Sequence, residues 1–347
     1  MSVVFDNEAF DDHEQVVFCR DPATDLQAII AIHSTKLGPA AGGCRMYPYA
    51  TLESALTDVL RLSRGMSYKN ALAGLKLGGG KAVVIADSNA ADKSKRLSAF
   101  AKHVQLLAGR YWTAIDVGVG VEDVAHMARD TDYAFTLVDE RSGRLNPAVF
   151  TALGGYVAIE ATVRHVLGRE DLKGVRFAIQ GLGQTGIDLC RRLTKAGGVV
   201  VATDVDDEAA AAARDQFGAT IVDPDEIYAQ DVDVFVPCAL GAILNDETIP
   251  RLKAKAVCGL ANNQLAEERH GEELMRRGIV YAPDYVVNAG GVIYGSDDIF
   301  KTHDNSQAEA KIRGIADVLG EIFERAKKDG LPTSDIADEM ARQRMAR

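Results

Sequence analysis

The sequence contains few cysteines, and none of them has the spacing of a metal site or a disulfide framework. The cysteines are odd in number and scattered, with no C-x-x-C pair: the five are Cys19, Cys44, Cys190, Cys238 and Cys258. Small secreted domains and structural zinc sites both depend on closely spaced cysteines. The seven histidines are equally dispersed, without an H-E-x-x-H pattern. We therefore expect free thiols in a reducing, cytoplasmic compartment and no bound metal.

Long apolar runs and an excess of basic residues are also absent. No stretch approaches the ~18 apolar residues of a membrane span, and the first residues, MSVVFD, lack the basic region of a signal peptide. Lysine and arginine number 39 against 50 aspartates and glutamates, which gives a net charge of −11. This balance argues against nucleic acid or an anionic membrane as the main partner. The expected partner is a small molecule.

Length and patterning predict two α/β domains. A chain of 347 residues is longer than one typical core requires. Up to residue 146, apolar runs alternate with helical patterns. Pro147 then opens a helix, and from about 175 to 282 the alternation has the βαβ rhythm of a doubly wound sheet. The predicted domains are 1–146 and 147–307, with a helical tail from 308 and the reaction site in the cleft between the domains.

What the sequence does contain is a glycine-rich motif between two apolar runs. The run 175–180 leads into Gly181-Leu182-Gly183-Gln184-Thr185-Gly186, a helical pattern follows, and a second run ends at Asp204. Glycines at this spacing permit a tight turn, close approach of a pyrophosphate and close helix packing, while the acid accepts the ribose hydroxyls. A carboxylate at Asp204 repels a 2′-phosphate, and Val205 to Glu208 include no arginine. The motif therefore predicts a dinucleotide site, and the cofactor is predicted to be NAD.

A second motif carries two lysines, 12 residues apart, around a predicted helix-to-strand turn. Lys69 stands in MSYKN, and Lys81 follows the glycines of LGGGK. A phosphate-binding P-loop would need glycine at Leu75 and serine or threonine at Ala82, so that interpretation fails. The glycines instead let the backbone approach something small. Asp116 ends a mostly apolar strand, where a carboxylate by itself is commonly a cap.

Taken together, these motifs resemble the Glu/Leu/Phe/Val amino-acid dehydrogenase family, on its leucine and phenylalanine branch. The resemblance runs in order from about residue 15 to 295 and is carried by segments 37–45, 66–70, 77–81, 116–118, 151–154, 237–241, 261–265 and 283–291. It implies an N-terminal α/β substrate-binding and catalytic domain and a Rossmann NAD-binding domain. It further implies that the tail, about 308–347, returns to the first domain, and that the protein is a homo-oligomer, a dimer or an octamer.

The resemblance also implies residue roles. Lys81 matches the catalytic lysine that activates water, Asp116 the acid that shuttles the amine proton, and Lys69 the group that grips the substrate carboxylate. A lysine is a base only when neutral, a form that burial and a second cation favour. The other implied substrate-binding residues are Gly42, Ala41, Ala114, Asn263, Val292 and Gly295. The implied cofactor-binding residues are Thr151, Gly181, Leu182, Gly183, Gln184, Thr185, Gly186, Asp204, Val205, Cys238, Ala239, Leu240, Ala261, Asn262 and Asn288.

The predicted reaction is NAD-dependent oxidative deamination of an apolar L-amino acid to the 2-oxo acid, ammonia and NADH, in either direction. Glutamate enzymes of the related group carry lysine where Ala41 stands, so an apolar substrate is expected. Small residues at Ala41 and Gly295 favour an enlarged pocket and an aromatic substrate. The alternative is that Tyr294 or Phe150, both departures from the family pattern along with Ile115, refills the space and restores leucine or valine selectivity.

Two interpretations from other classes compete with this one. Lys81 as a Schiff-base lysine for pyridoxal phosphate would leave the complete dinucleotide motif without a purpose. A non-catalytic NAD-binding regulator would be expected to have lost one of Lys69, Lys81 and Asp116, and all three are present. Formation of NADH from an amino acid distinguishes the enzyme from the regulator.

Overall fold

The computed structural model describes residues 4–138 and 143–346, which divide into two compact units. The first comprises Met1–Asn146, Gly295–Asp304 and Ala341–Arg347, and the second comprises Pro147–Tyr294 and Asn305–Met340. Among the described residues, no helix is both long enough and apolar enough to cross a membrane. All five cysteines are free thiols, as the sequence predicted.

The first unit is built on a mixed six-stranded sheet. Its elements are β1 (Gln15–Asp21), β2 (Leu26–Ser34), β3 (Ala40–Ala41), β4 (Cys44–Tyr47), α1 (Leu52–Leu72), β5 (Gly78–Ile85), α2 (Lys93–Leu106), β6 (Tyr111–Trp112) and α3 (Val121–Met127). The strand order is β1-β2-β5-β3-β6, and β4 also pairs with β5. The pairs β1/β2 and β2/β5 are antiparallel, whereas β3 and β4 run parallel to β5.

Helices cover both faces of this sheet, which explains why its strands have continuous apolar sequences. Along β2, Ile29 packs in a cluster with Leu56 and Val59 of α1, while its neighbour Ile30 packs in a cluster with Phe100 of α2. Helix α1 begins at a capping box: the hydroxyl of Thr51 accepts from the backbone N–H of Ser54, and the Ser54 hydroxyl accepts in return. The helix then extends to Leu72, against the glycine-rich start of β5.

The second unit contains a six-stranded sheet that is parallel throughout. The elements that lie wholly or partly in it are α4 (Pro147–Leu167), β7 (Arg176–Gln180), α5 (Gln184–Lys195), β8 (Val199–Thr203), α6 (Asp207–Phe217), β9 (Thr220–Ile221), β10 (Val234–Pro237), β11 (Ala256–Val257), α7 (Arg269–Arg276), β12 (Val280–Tyr281), α8 (Asp284–Val287), α9 (Gly290–Phe300), α10 (Asn305–Arg313), α11 (Ile315–Asp329) and α12 (Thr333–Met345). Helix α9 passes into the first unit at Gly295, and α12 does so at Ala341. The order β12-β11-β10-β7-β8-β9 places the first strand in the middle, with the chain winding outward on both sides. This is the Rossmann order, and it confirms the predicted doubly wound sheet.

The C-terminal helices differ from the expectation that the resemblance gave. Most of the segment 308–347 belongs to the second unit, because the apolar face of α11 packs on α4: Ile315 lies against Gly154, and Phe323 stacks on His165 with ring centroids 4.7 Å apart. Only the last residues join the first unit. There Arg344 donates to the carbonyl of Leu72 at 2.8 Å, at the C-terminal end of α1, where the helix dipole favours a cation.

Candidate active site

A buried ion pair stands at the centre of the first unit's predicted site residues. The Nζ of Lys81, on β5, lies 3.2 Å from Oδ2 of Asp116, and the two side chains are only 7% and 9% exposed. Asp116 follows β6 in a tight turn closed by backbone hydrogen bonds with Val119. Gly118 in this turn has φ +76°, and a Cβ there would lie 2.2 Å from the carbonyl oxygen of Met46. The turn therefore requires glycine next to the carboxylate.

Arg45 of β4 is a second cation on the same carboxylate, and the sequence analysis did not single it out. Its Nε donates to Oδ2 of Asp116 at 3.0 Å, and its Nη1 donates to Oδ2 of Asp58 at 2.9 Å. The hydroxyl of Tyr49 donates to the same Asp58 oxygen. Burial by itself raises the pKa of Asp116, but Lys81 and then Arg45 hold that pKa below its usual value. Asp116 is therefore an ionised carboxylate shared by two cations.

The glycines of LGGGK bring α1 and β3 against β5. A Cβ at Gly79 would lie 2.1 Å from the backbone nitrogen of Ser67, and a Cβ at Gly80 would lie 2.7 Å from the Tyr111 ring. What the backbone approaches closely at these glycines is therefore the protein itself: helix α1 at Gly79 and the Tyr111 ring at Gly80. Because Ser67 is fixed against Gly79, the last turn of α1, with half-buried Lys69, comes onto the strand that carries Lys81.

Three further residues implied for substrate binding collect around the same strand. Ala41 pairs with Gly79 in the sheet, and a Cβ on the next residue, Gly42, would lie 1.9 Å from the carbonyl of Gly80. Ala114 is two residues before Asp116, and its carbonyl accepts from the N–H of Cys44 at 2.9 Å. Both alanines are buried. The first unit therefore brings together Lys69, Lys81, Asp116, Ala41, Gly42 and Ala114.

Gly295 does not leave the empty space that the sequence analysis assigned to it. A Cβ at this position would lie 2.7 Å from Cγ2 of Thr136 and 3.3 Å from the Phe135 ring. The structure therefore leaves no free space beside Gly295 for an enlarged pocket, because two side chains of the first unit lie there, and the preference for an aromatic substrate stays a prediction. Phe150 and Tyr294, the two aromatic residues that depart from the family pattern, stack on each other within the second unit. Their ring centroids are 3.8 Å apart and their planes differ by 11°.

The glycine motif of the second unit lies at the switch point of its parallel sheet. Gly181 follows β7 with φ +99°, and its Cβ would lie 2.7 Å from Cβ of Ala239, which follows the adjacent strand β10. Gly186 is equally tight, because its Cβ would lie 2.1 Å from the Gly181 carbonyl. In contrast, a Cβ at Gly183 would meet no atom within 4 Å. The backbone at the N-terminus of α5 is thus open exactly where a phosphate binds in such folds.

Asp204 closes this loop from the neighbouring strand. Its Oδ2 accepts from the backbone N–H of Leu182, and its Oδ1 accepts from the N–H of Asp206 at 2.9 Å. The side chain of Val205, the next residue, is 91% exposed. Gln184 and Thr185 form the first turn of α5. The remaining residues implied on this edge, Cys238, Ala239 and Leu240, follow β10, where Leu240 is 77% exposed.

Residues after β11 and β12 form a connected polar group. Nδ2 of Asn288 donates to Oδ1 of Asn262 at 2.8 Å, and the N–H of Asn263, with φ +52°, donates to Asp284 at 2.7 Å. Ala261 is buried beside them. Thr151 of α4 lies against the start of α9, since a Cβ at Gly291 would be 2.5 Å from its hydroxyl. Val292, half-buried, is the third residue of α9.

Three buried polar atoms on this side of the second unit have no hydrogen-bond partner in the described structure. They are Oε1 of Gln180 at the end of β7, Oγ1 of Thr203 at the end of β8 and Oδ1 of Asn288. A buried polar group left unpaired costs about 1–3 kcal/mol, so such atoms indicate a ligand or ordered water. Together with the open backbone at Gly183, they fit a dinucleotide along the carboxyl edge of the sheet.

One group of acids and a histidine, elsewhere in the described part of the chain, has the composition of a metal site. Ligating atoms of Asp246, Glu267 and His270 lie within 4.8 Å of one another. However, the Arg269 guanidinium pairs with both carboxylates, at 2.6 and 2.8 Å, and Nδ1 of His270 already accepts from the N–H of Glu267. These contacts describe an ion-pair network, and the absence of a metal stays a prediction.

Comparison with known proteins gives consistent results along the whole chain. The family models described as "Glu/Leu/Phe/Val dehydrogenase, dimerisation domain" and "Glutamate/Leucine/Phenylalanine/Valine dehydrogenase" match residues 13–133 and 205–311. Leucine dehydrogenase of Bacillus subtilis is 46% identical over 97% of this chain and 92% of its own length. Phenylalanine dehydrogenase of Bacillus thermotolerans is 44% identical over 97% and 90%.

A solved structure agrees with these relatives. The crystal structure of L-tryptophan dehydrogenase from Nostoc punctiforme matches with a TM-score of 0.82 and 43% identity, over 96% of each chain. Identity at this level over nearly the full length of several relatives extends the match beyond fold alone. The chain therefore belongs to the Glu/Leu/Phe/Val dehydrogenase family and is an amino-acid dehydrogenase.

Proposed function

We propose that this enzyme catalyses the reversible, NAD-dependent oxidative deamination of an apolar L-amino acid to its 2-oxo acid and ammonia. The observation that carries the proposal is the buried Lys81–Asp116 pair, in a chain whose second unit has an open dinucleotide loop. The first unit is proposed as the substrate-binding and catalytic domain, and the Rossmann sheet as the cofactor domain. A non-catalytic regulator has no need for a paired lysine and carboxylate desolvated to this degree.

The proposed mechanism assigns one task to each charged group. The Lys69 ammonium binds the substrate carboxylate, a charge-assisted contact that fixes the orientation of Cα. Asp116, ionised between its two cations, accepts the proton from the substrate ammonium group. NAD, when bound, supplies the hydride acceptor at the nicotinamide ring.

Hydrolysis of the resulting imine uses the second group of the pair. Lys81, after losing its own proton to the solvent, takes a proton from a water molecule as the oxygen of that water bonds to the imino carbon. Asp116 then returns its proton to the nitrogen and takes up the proton of the newly formed hydroxyl group as the C–N bond breaks, so that ammonia leaves together with the 2-oxo acid. Once Asp116 has released that proton and ammonia has bound one to become ammonium, the overall balance is one water consumed, one hydride transferred and one proton released for each amino acid.

The proposed cofactor is NAD rather than NADP. The fixed Asp204 carboxylate stands at the end of β8, where it would accept from ribose hydroxyls and repel a 2′-phosphate. The exposed side chain of Val205 offers no compensating charge. Asp206 and Glu208 add further negative charge after it. Residues proposed to bind the remainder of the cofactor are Thr151, Asn262 and Asn288, beside the unpaired Asn288 oxygen.

The proposed substrate class is apolar, either branched-chain or aromatic. Ala41 and Ala114 are both buried and offer no charge to a side-chain carboxylate, which argues against glutamate as the preferred substrate. With the volume at Gly295 already filled, the argument for an aromatic preference now depends on Ala41 alone. One extra methylene is worth ~1–3 kcal/mol of discrimination, so a direct comparison of substrates has enough range to rank them.

The test is NADH formation by the purified enzyme at alkaline pH with leucine, phenylalanine, valine and glutamate. We expect turnover with the apolar substrates and little with glutamate. Lys81→Ala should lower kcat by about 10²–10⁴-fold, the range of a lost acid–base group, while NAD binding followed by fluorescence stays unchanged. Lys76→Ala, at an exposed lysine five residues earlier, is the matched control. No NADH from any apolar amino acid would reject the proposal.

We also propose that the chain forms homo-oligomers through the outer edge of its first sheet. The matching family model is described as a dimerisation domain and includes β1. Among the residues that the structure describes, β1 is an edge strand that pairs with β2 alone, and its Phe18 is 51% exposed. An exposed edge strand of seven residues readily pairs with another chain. Phe18→Lys should shift the species seen by light scattering toward the monomer, and an unchanged mass would contradict this surface.

A further inference from the structure

The Lys81–Asp116 pair poses an electrostatic difficulty for the mechanism. An opposite charge 3.2 Å away stabilises the ammonium form of a lysine, and a buried two-membered pair strengthens that preference. A base must be neutral. A carboxylate that serves as proton acceptor for the substrate amine would therefore oppose the base function of the lysine beside it. A further positive charge near Asp116 is required to weaken the stabilisation of the Lys81 ammonium form.

We propose that Arg45 is a positioning residue that shares the Asp116 carboxylate with Lys81 and thereby eases deprotonation of Lys81. This inference rests on the proposed roles of Lys81 and Asp116. Both cations contact the same oxygen, Oδ2, at 3.0 and 3.2 Å, so their nitrogens lie at most about 6 Å apart. The guanidinium does not lose its proton in proteins, so it is a permanent like charge facing the lysine.

Asp58 and Tyr49 hold this guanidinium in place. Nη1 of Arg45 donates to Asp58 Oδ2 at 2.9 Å, and the Tyr49 hydroxyl donates to the same oxygen. Arg45 is therefore fixed by two carboxylates through two of its nitrogens, and its side chain is only 18% exposed. The planar fork of arginine suits this bridging geometry, whereas the single ammonium of lysine contacts one carboxylate well.

Among the residues that the structure describes, the other titratable groups around the pair do not provide such a charge. Cys44 on β4 and Tyr111 on β6 are neutral, because burial raises the pKa of each well above its usual value. Asp123 of α3 is paired with Lys93 at 2.6 Å. Lys69, on α1, is committed to the substrate carboxylate in the proposed mechanism. Arg45 and its counter-ion Asp58 are thus the charges whose removal should change the pair most.

The direction of each change follows from the charges. Arg45→Gln removes a positive charge near Lys81, so the acid limb of the kcat/KM profile should move to higher pH. Two unit charges about 6 Å apart at an effective dielectric constant of 20–40 give a shift of about one to two pH units, which Asp58 partly offsets to about one unit. Asp58→Asn removes a negative charge and should move the limb to lower pH. Arg45→Lys keeps the charge, so its limb should stay near that of the wild type while kcat falls.

The experiment measures these limbs with the preferred apolar amino acid, whose own amine titrates identically for every variant. Arg96→Gln is the matched control. Arg96 also pairs with two carboxylates of the first unit, Asp25 and Asp92, but it lies on α2 and does not contact Asp116. Its profile should coincide with that of the wild type. If Arg45→Gln does not fold, as judged by its thermal melt, Arg45→Lys and Asp58→Asn decide the question.

A second measurement does not depend on turnover. Acetic anhydride in trace amounts acetylates only neutral amines. The extent of Lys81 acetylation, measured by mass spectrometry as a function of pH, therefore reports the neutral fraction of Lys81. Acetylation of exposed Lys36 in the same sample provides the normalisation. Opposite displacements for Arg45→Gln and Asp58→Asn support the inference. No displacement, or displacement in the same direction, overturns it. If the wild type forms no NADH, the proposed function fails, and the labelling curves alone decide the role of Arg45.

Discussion

Two facing histidines in the first unit should make its stability depend on pH. The rings of His13 and His33 lie 4.9 Å apart at 77°, and both side chains are buried. Nδ1 of His13 accepts from the backbone N–H of Asp11 at 3.2 Å, while Nε2 lies 3.1 Å from the carbonyl of Leu60. Only the neutral tautomer with its proton on Nε2 satisfies both contacts. A second proton, on Nδ1, would point at the N–H of Asp11 and break that hydrogen bond.

The size of the effect follows from the pKa of His13. Burial, and next the charge of a protonated His33, lower this pKa from 6.5 to about 4. Burial likewise lowers the pKa of His33, against the opposing effect of Asp11. The unfolded chain therefore binds more protons than the folded chain below pH 6.5. The stabilisation is complete above that pH and is lost as the pH falls toward 4, by about 2 kcal/mol at pH 5 and about 3 kcal/mol at pH 4 from His13 alone.

The variant His13→Gln isolates this contribution, because its amide keeps a donor for the Leu60 carbonyl but does not titrate. Thermal melts at fixed protein concentration, at pH 7.5 and pH 5, should show a smaller loss of Tm for the variant than for the wild type. His103→Gln is the matched control, because His103 is a half-buried histidine on α2. The loss of Tm between pH 7.5 and pH 5 should be the same for this variant as for the wild type. Equal pH dependence in wild type and His13→Gln would refute the reasoning.

Three further predictions concern the site itself. Lys69→Ala should raise KM for the amino acid by about 10–100-fold with a smaller effect on kcat, as steady-state kinetics would show, because a charge-assisted carboxylate contact is lost. Asp204→Ser combined with Val205→Arg should reduce the NAD-to-NADP ratio of kcat/KM at least about tenfold, by removing repulsion and supplying a phosphate partner; an unchanged ratio would contradict the role of Asp204. Gly295→Ala should lower Tm because its Cβ overlaps Cγ2 of Thr136, and adding Thr136→Ser should restore much of the loss, whereas independent effects would show that the two positions do not touch.

The parts of the molecule that the sequence predicted correctly depend on local patterns. The glycine spacing from Gly181 to Gly186 is enough to place a turn, a helix N-terminus and a following acid, since all lie within one βαβ unit. The rule of right-handed crossovers then limits the topologies that such units can adopt. Free thiols likewise followed from cysteine spacing alone.

The features that were missed depend on contacts between distant parts of the chain. Arg45 reaches Asp116 across 71 positions, because β4 pairs with β5 rather than extending β3, and no periodicity encodes that pairing. The amphipathic face of α11 showed that the helix packs, but not that its partner is α4. Gly295 was interpreted as vacant volume because the sequence gave no sign that Thr136 would fill it. A signal for Arg45 was available, since a charged residue directly after buried Cys44 needs a partner.

The path of the chain through the two units has a consequence for its synthesis. The chain leaves the first unit after Asn146, re-enters it for Gly295–Asp304 and returns at Ala341. Asp298 supplies the acceptor for the N–H of Leu137, and Arg344 the donor for the last carbonyls of α1. During translation, Asp298 and Arg344 are therefore synthesised after the strands of the second unit's sheet, the last of which ends at Tyr281. A nascent chain should consequently complete its Rossmann sheet before its first unit, even though most of the first unit is synthesised earlier.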